Sequence, residues 1–284
     1  MILHPDHRDQ LLREGYLAID NVVPKTYCEA VIAAMCEFVG VDIEDPVTWP
    51  NCQAQGHGIV PLHHHQALWD VRQLPQLHSI FSALYETEQL WVTLDRVSFK
   101  LPTRLRAQPF RMDKVHWDGD PRQIAPFALQ GLVYLTDTPA EQGAFAMVPS
   151  LYKGLDGWLS AGRSDAEVAS PDVAGYPLVP VPGKQGTLVI WHRRMPHTST
   201  PNNGTQPRLV QYVTMNAAPS ADGANQLSHE KVDAAYAAQA NACIQKRPPA
   251  WAIRQRVAGQ QDPEPGPPVQ FTALGRKLAG IDRW

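Results

Sequence analysis

From Trp91 to about Asn216 the chain breaks into short β-rich runs closed by Gly, Pro or Asp, and this texture limits the fold more than any other feature. The runs are Trp91 to Leu101, Phe110 to Trp117, Phe127 to Leu135, Gly143 to Val148, Tyr176 to Val181, Thr187 to Trp191 and Arg208 to Met215. Short strands with frequent turn signals specify a sandwich or barrel. The polar, small-residue segment from Ser150 to Gly175 interrupts the series and reads as an insertion.

The flanks follow other periods. Asp6 precedes a short periodic segment ending near Gly15, and Tyr16 to Val23 alternates like a strand. Val31, Ile32, Met35 and Phe38 recur at helical spacing after Pro24, predicting a helix from about Pro24 to Phe38. Leu77, Ile80, Phe81 and Leu84 predict a second from about Leu74 to Glu88, and a third is expected from Glu230 to Ile244. Residues 41–67, rich in Pro, Gly, Asn, Gln and His, read as a long irregular segment of the kind that often carries function. The expectation is a mainly β fold with flanking helices in one 284-residue domain: helices and loop over 1–90, β core over 91–216, helix and tail over 217–284. The tail, with its Pro-rich runs and closing GRKLAGIDRW, is expected over the barrel or between subunits.

Charge and cysteine content narrow the class of partner. Acids and bases are mixed, the formal net charge is −3, and no basic stripe exists for nucleic acid. No stretch approaches the roughly 18 to 20 apolar residues of a membrane span, and the first residues hold no leader-like apolar run. Cys28, Cys36, Cys52 and Cys243 form no CxxC pair. Reduced thiols in a soluble cytoplasmic protein are therefore expected, with Cys36 and Cys243 as small buried helix residues.

Chemistry concentrates in two separated fragments: His116-Trp117-Asp118 within KVHWDGD, and His197 with Arg208 within MPHTSTPNNGTQPR. Alternation along a strand puts His116 and Asp118 on one face and Trp117 on the other. A third ligand must arrive from a distant strand, and His197 follows the Thr187 to Trp191 run by a few residues. Two imidazoles and one carboxylate are the set that leaves half of an octahedral iron(II) open. Arg208, eleven residues after His197, opens an apolar strand, where a guanidinium is costly unless it meets an anion.

The order of HxD, the block from Asp137 to Ser150, PHTSTPN and Arg208 resembles the phytanoyl-CoA dioxygenase family over roughly residues 8–216. The resemblance implies a double-stranded β-helix, a jelly-roll or cupin-like barrel, that uses iron(II) and 2-oxoglutarate. It implies iron ligands His116, Asp118 and His197, and Arg208 on the far carboxylate of 2-oxoglutarate, with Ser199 and Lys100 as further polar contacts. It also implies a small organic substrate, dioxygen, and release of succinate and carbon dioxide. Where the family commonly reads Pro-Gly-Ser-His, this chain has Pro149-Ser150-Leu151-Tyr152. Asp118 favours hydroxylation over halogenation, since halogenating relatives lack the carboxylate. A cupin-like metal enzyme that does not use 2-oxoglutarate and a non-catalytic jelly-roll binding protein remain open alternatives. The substrate and the oligomeric state are not readable.

His192 rivals His197 because both follow the same strand, and the Pro-His-x-Ser block favours His197. His63, His64 and His65 cannot all face one ion in a strand, so they are expected in a loop, where one or two would line an entrance. Trp69, Arg111, Trp117, Arg122 and Trp191 lie near the motifs in sequence or composition and are candidates for shaping a pocket, the arginines for an anionic substrate.

Overall fold

The computed structural model describes residues 3, 6–52, 58–105, 114–221, 227–247 and 267–284. The chain enters through α1 (Asp6–Glu14), which leads through Gly15 into β1 (Tyr16–Ile19) and then α2 (Lys25–Val39). Pro24 stands at the N-cap of α2, and the helix stops at Gly40, whose φ of 70° is cheap only for glycine. Among its described residues, the 41–67 segment holds a short 3-10 turn and β2 (Ile59–Val60), and α3 (Gln66–Arg72) begins at its end. In α4 (Pro75–Tyr85) the expected face of Leu77, Ile80, Phe81 and Leu84 is buried. Each such side chain contributes about 1.5–3 kcal/mol by leaving water.

The strands follow as β3 (Leu90–Val92), β4 (Val97–Lys100), β5 (Leu129–Tyr134) and β6 (Phe145–Met147). Three helices come next, α5 (Pro149–Lys153), α6 (Leu155–Ser160) and α7 (Asp165–Ala169). Then come β7 (Val179–Val181), β8 (Leu188–His192), β9 (His197–Ser199), β10 (Arg208–Tyr212) and β11 (Met215–Ala217). The chain closes with α8 (His229–Ile244) and α9 (Ala273–Leu278).

Six strands form a major antiparallel sheet in the order β1-β8-β5-β10-β4-β2, and β7-β6-β9 form a minor one. Alternation along the major sheet separates two apolar layers. Leu129, Val133, Leu188, Ile190, Phe99 and Leu209 pack against the helices, while Leu132, Tyr134, Val189, Trp191 and Val210 meet Phe145, Met147 and Val181 of the minor sheet. Two sheets enclosing an interior in this order make a double-stranded β-helix with flanking helices, the barrel that the strand texture predicted and the particular form that the family resemblance implied.

Several boundaries differ from the sequence reading, each for a physical reason. The run from Trp91 to Leu101 is two strands, because β3 pairs with β11 and β4 with β10. The partner run breaks at the matching place, between Tyr212 and Met215, so both strands turn the corner between sheets together. The Ser150 to Gly175 insertion holds α5, α6 and α7, each only five or six residues long. Tyr16 to Val23 shortens to β1, and Val22 and Val23 instead donate their N–H groups to Gly186 O at 3.0 and 3.1 Å. Of the predicted strand Phe110 to Trp117, residues 110–113 lie outside the described residues. The described end of the tail lies on the body of the fold: Trp284 Nε1 donates to Leu90 O, and Thr272 N to Gln73 Oε1, both at 2.9 Å. Among the described residues no helix is long and apolar enough to cross a membrane.

Candidate metal centre

His116 and His197 meet backbone to backbone. His116 N donates to His197 O and His197 N to His116 O, both at 3.0 Å, adding His116 to the minor sheet beside β9. Both imidazoles are fixed by the same local device. The Nδ1–H of His116 donates to Lys114 O and that of His197 to Met195 O, each at 2.9 Å. A carbonyl can only accept, so both rings carry the proton on Nδ1 and present a bare Nε2. The Asp118 carboxylate faces those two atoms, Oδ1 3.7 Å from His116 Nε2 and Oδ2 3.5 Å from His197 Nε2. The three ligand atoms lie within 4.8 Å of one another. Bonds of about 2.1 Å to an octahedral ion would set neighbouring donors about 3 Å apart, so a small inward adjustment is enough to close on a metal.

Electrostatics prepare the same state. Burial, with the His197 imidazole adding to it, holds His116 below the usual histidine range and favours the neutral, ligating form. Burial pushes the Asp118 carboxyl up, but the His197 ring beside it, then the Gln130 amide and His116, outweigh burial and hold Asp118 below the usual carboxylate range. The site is also open on one side, since 44% of the Asp118 side chain stays exposed while the His197 side chain is 7% exposed.

Trp191 and Phe145 wall the buried side, with ring centres 5.4 and 5.5 Å from that of His197. Trp117 turns the other way, as alternation predicted. Its Nε1 donates to Arg194 O at 2.8 Å, and its ring packs with Val115, Val148, Leu151 and Leu155.

A second cluster lies two residues along β9. Lys100 Nζ donates to Ser199 Oγ at 2.6 Å and to Thr200 O at 2.8 Å. Arg208 stands opposite Lys100 in the β10–β4 register and is 3% exposed. Its Nε donates to Gly143 O at 2.9 Å, while Nη1 is buried without a partner. Among the described residues no carboxylate pairs with Arg208. Gly143 suits this place: its φ is 72°, and an added Cβ would stand only 3.1 Å from Lys100 Cδ.

Other candidates separate from the site. His192 uses both ring nitrogens elsewhere, Nε2 donating to Pro126 O at 2.9 Å and Nδ1 accepting from Arg194 N at 3.1 Å, which leaves it no free lone pair. His63 is buried against Leu94 O, His64 bonds Arg247 O, and His65 caps α3 by accepting from Ala67 N. Trp69 is buried in the helix layer against Phe271, away from the metal cluster. Arg122 is held at the surface between Asp120 and Asp165. Arg111 lies outside the described residues.

Sequence reasoning missed Gln130, whose Nε2 donates to Asp118 Oδ2 at 2.6 Å. Nothing in its local sequence marks it, because the contact joins β5 to a loop twelve residues earlier.

A Dictyostelium discoideum protein named for phytanoyl-CoA dioxygenase is 22% identical over 254 residues, covering 71% of this chain and 72% of that one. The carbocyclase SnoK from nogalamycin biosynthesis, described as non-haem and α-ketoglutarate dependent, superposes with a TM-score of 0.53 at 22% identity over 80% of this chain and 92% of its own. The epimerase SnoN, in complex with Fe3+, α-ketoglutarate and nogalamycin RO, superposes with a TM-score of 0.55 at 16% identity over 95% of this chain and 97% of its own. Those likenesses show the fold. The family model described as phytanoyl-CoA dioxygenase (PhyH) matches residues 11–210, a span that takes in all of the major sheet but the end of β10, with His116, Asp118, His197 and Arg208. With most of its length inside that match, the chain belongs to the phytanoyl-CoA dioxygenase family.

Proposed function

We propose that this chain is an iron(II)- and 2-oxoglutarate-dependent dioxygenase that hydroxylates a small organic molecule. His116, Asp118 and His197 would hold the metal, and Arg208 would bind the far carboxylate of 2-oxoglutarate, with Ser199 and Lys100 completing the polar end. The observation that carries the reading is Arg208 itself, a buried guanidinium with one donor unspent and no carboxylate partner among the described residues. Burying such a charge is costly without an anion. Arg208 reaches the metal cluster through Lys100 and Ser199, and Ser199 lies two residues beyond His197, about 7 Å along a strand. A short dicarboxylate chelated at one end spans that distance.

When bound, the iron and 2-oxoglutarate supply the oxidative chemistry: one oxygen atom of O2 enters succinate as CO2 leaves, and the other enters a C–H bond of the substrate. The chain's part is positional. His116 and His197 present neutral Nε2 atoms, and Asp118 supplies one negative charge while leaving part of its side chain exposed to the opening. Trp191 and Phe145 keep water from the buried side of His197. The four cysteines, all buried and none in a disulfide, suit a reducing, cytoplasmic setting. The fold and its tail would work as one catalytic unit.

Anaerobic titration with iron(II) and 2-oxoglutarate tests the reading through the metal-to-ligand charge-transfer band, which should weaken in Arg208 variants. No band in the unaltered protein would reject it. Once a substrate is found, label from O2 in the product separates hydroxylation from epimerisation or ring closure.

A further inference from the structure

We infer that Gln130 is a positioning residue for the metal, acting through Asp118; the inference rests on the metal-centre reading above. Gln130 sits on the interior face of β5, in line with Leu132 and Tyr134 and directly opposite Trp191 of β8. From there its amide Nε2 donates to Asp118 Oδ2 at 2.6 Å, a short charge-assisted bond. The amide oxygen, Oε1, is buried with no partner. Only the nitrogen can donate to a carboxylate, so the amide orientation is set by Asp118, at the cost of leaving the amide oxygen unsatisfied. A glutamine placed for packing or solubility would not keep that arrangement.

The consequence follows from the two carboxylate oxygens. Oδ2 is engaged by Gln130, and Oδ1 carries no such amide. Gln130 therefore holds Asp118 in the rotamer that offers one oxygen to a metal, and it discourages both oxygens from binding together. A carboxylate that binds through one oxygen leaves the extra position that a chelating co-substrate and O2 require. Carboxylates that ligate metals commonly depend on such outer partners, and their loss costs roughly 10–100-fold in metal affinity or activity. Asp118 lies in a bend after the single bridge at His116, so no regular strand pairing fixes it. The fixing is done by Gln130 from the major sheet.

The test uses metal-free full-length protein titrated with Co(II), whose visible absorption reports both affinity and coordination. In Gln130→Met the donor is lost at nearly constant volume. Co(II) affinity should fall at least tenfold and the band shape should change, while circular dichroism of the metal-free protein stays the same. Should that variant fold poorly, Gln130→Ala removes the donor without adding bulk or charge, and the same loss of affinity and change of band shape are expected. Equal affinity and equal spectra for the unaltered protein and for the folded variant overturn the inference. Absence of Co(II) binding by the unaltered protein would instead overturn the metal-centre reading on which it rests.

Discussion

Replacing Arg208 by Met separates function from folding because the two respond with opposite sign. The guanidinium is 3% exposed, spends Nε on Gly143 O and leaves Nη1 unpaired in the interior. Met fills a similar volume without charge. In the metal-free protein the substitution removes one hydrogen bond worth about 1 kcal/mol and one unsatisfied donor costing about 1–3 kcal/mol. Stability should therefore hold or rise by up to about 2 kcal/mol. Binding of 2-oxoglutarate should suffer, since charge-assisted bonds to a carboxylate contribute about 1.5–3 kcal/mol each. Losing about 3 kcal/mol corresponds to a roughly 100-fold weaker Kd. Urea denaturation measures the first quantity, and anaerobic titration of the iron(II) form with 2-oxoglutarate measures the second. A variant that loses several kcal/mol of stability yet binds 2-oxoglutarate normally would refute the argument, since Arg208 would then be serving the fold.

Four further outcomes are expected. Arg208→Lys should also weaken 2-oxoglutarate binding, because a point charge cannot reproduce a planar fork, and an unchanged Kd counts against the assignment. Asp118→Ala should abolish substrate oxidation, with native coupled turnover as the contrary result. Gly143→Ala should destabilise by more than about 1 kcal/mol, since its φ of 72° suits glycine, and should also weaken 2-oxoglutarate binding by crowding Lys100; thermal melts and the same titration check both. Burial lowers the His63 pKa from 6.5 to about 4. The unfolded chain thus binds a proton that the folded one refuses, so this contribution is complete above pH 6.5 and shrinks as the pH falls to about 4, by about 3 kcal/mol in all. His63→Gln, which keeps a donor for Leu94 O, should flatten that acid limb in urea melts at pH 4.5 and 7; an unchanged slope would contradict it.

What the sequence disclosed depended on whether a signal was local. The helices α2 and α4 were legible because their apolar spacing runs for about two turns, and the α4 face is buried as read, whereas α2 buries Val31 and Met35 but leaves Phe38 exposed. α3 was not, because its seven residues bury Ala67, Leu68, Trp69, Val71 and Arg72 on nearly every side and leave no amphipathic period. α5, α6 and α7 are too short for periodicity to register, and the three-residue β9 is a strand only by virtue of its partner β6. In the site, His116, Asp118, His197 and Arg208 stood out because each is an unusual residue beside an apolar run. Gln130 is ordinary in its own context, and only the approach of β5 to the Asp118 bend gives it meaning.

The reciprocal bridge between His116 and His197 carries a consequence for how this protein can change over time. The spacing of the two imidazoles is inherited from paired main chain, not from the 80 residues that separate them in the chain. Those residues include the α5 to α7 insertion, which can lengthen, shorten or be rebuilt without moving either ring relative to the other. A one-residue slip of the bridge would turn a ring to the wrong face at once. Variation is thus cheaper in the α5 to α7 insertion than at the two bridging peptide groups, an arrangement that lets one metal centre be tried against many substrates.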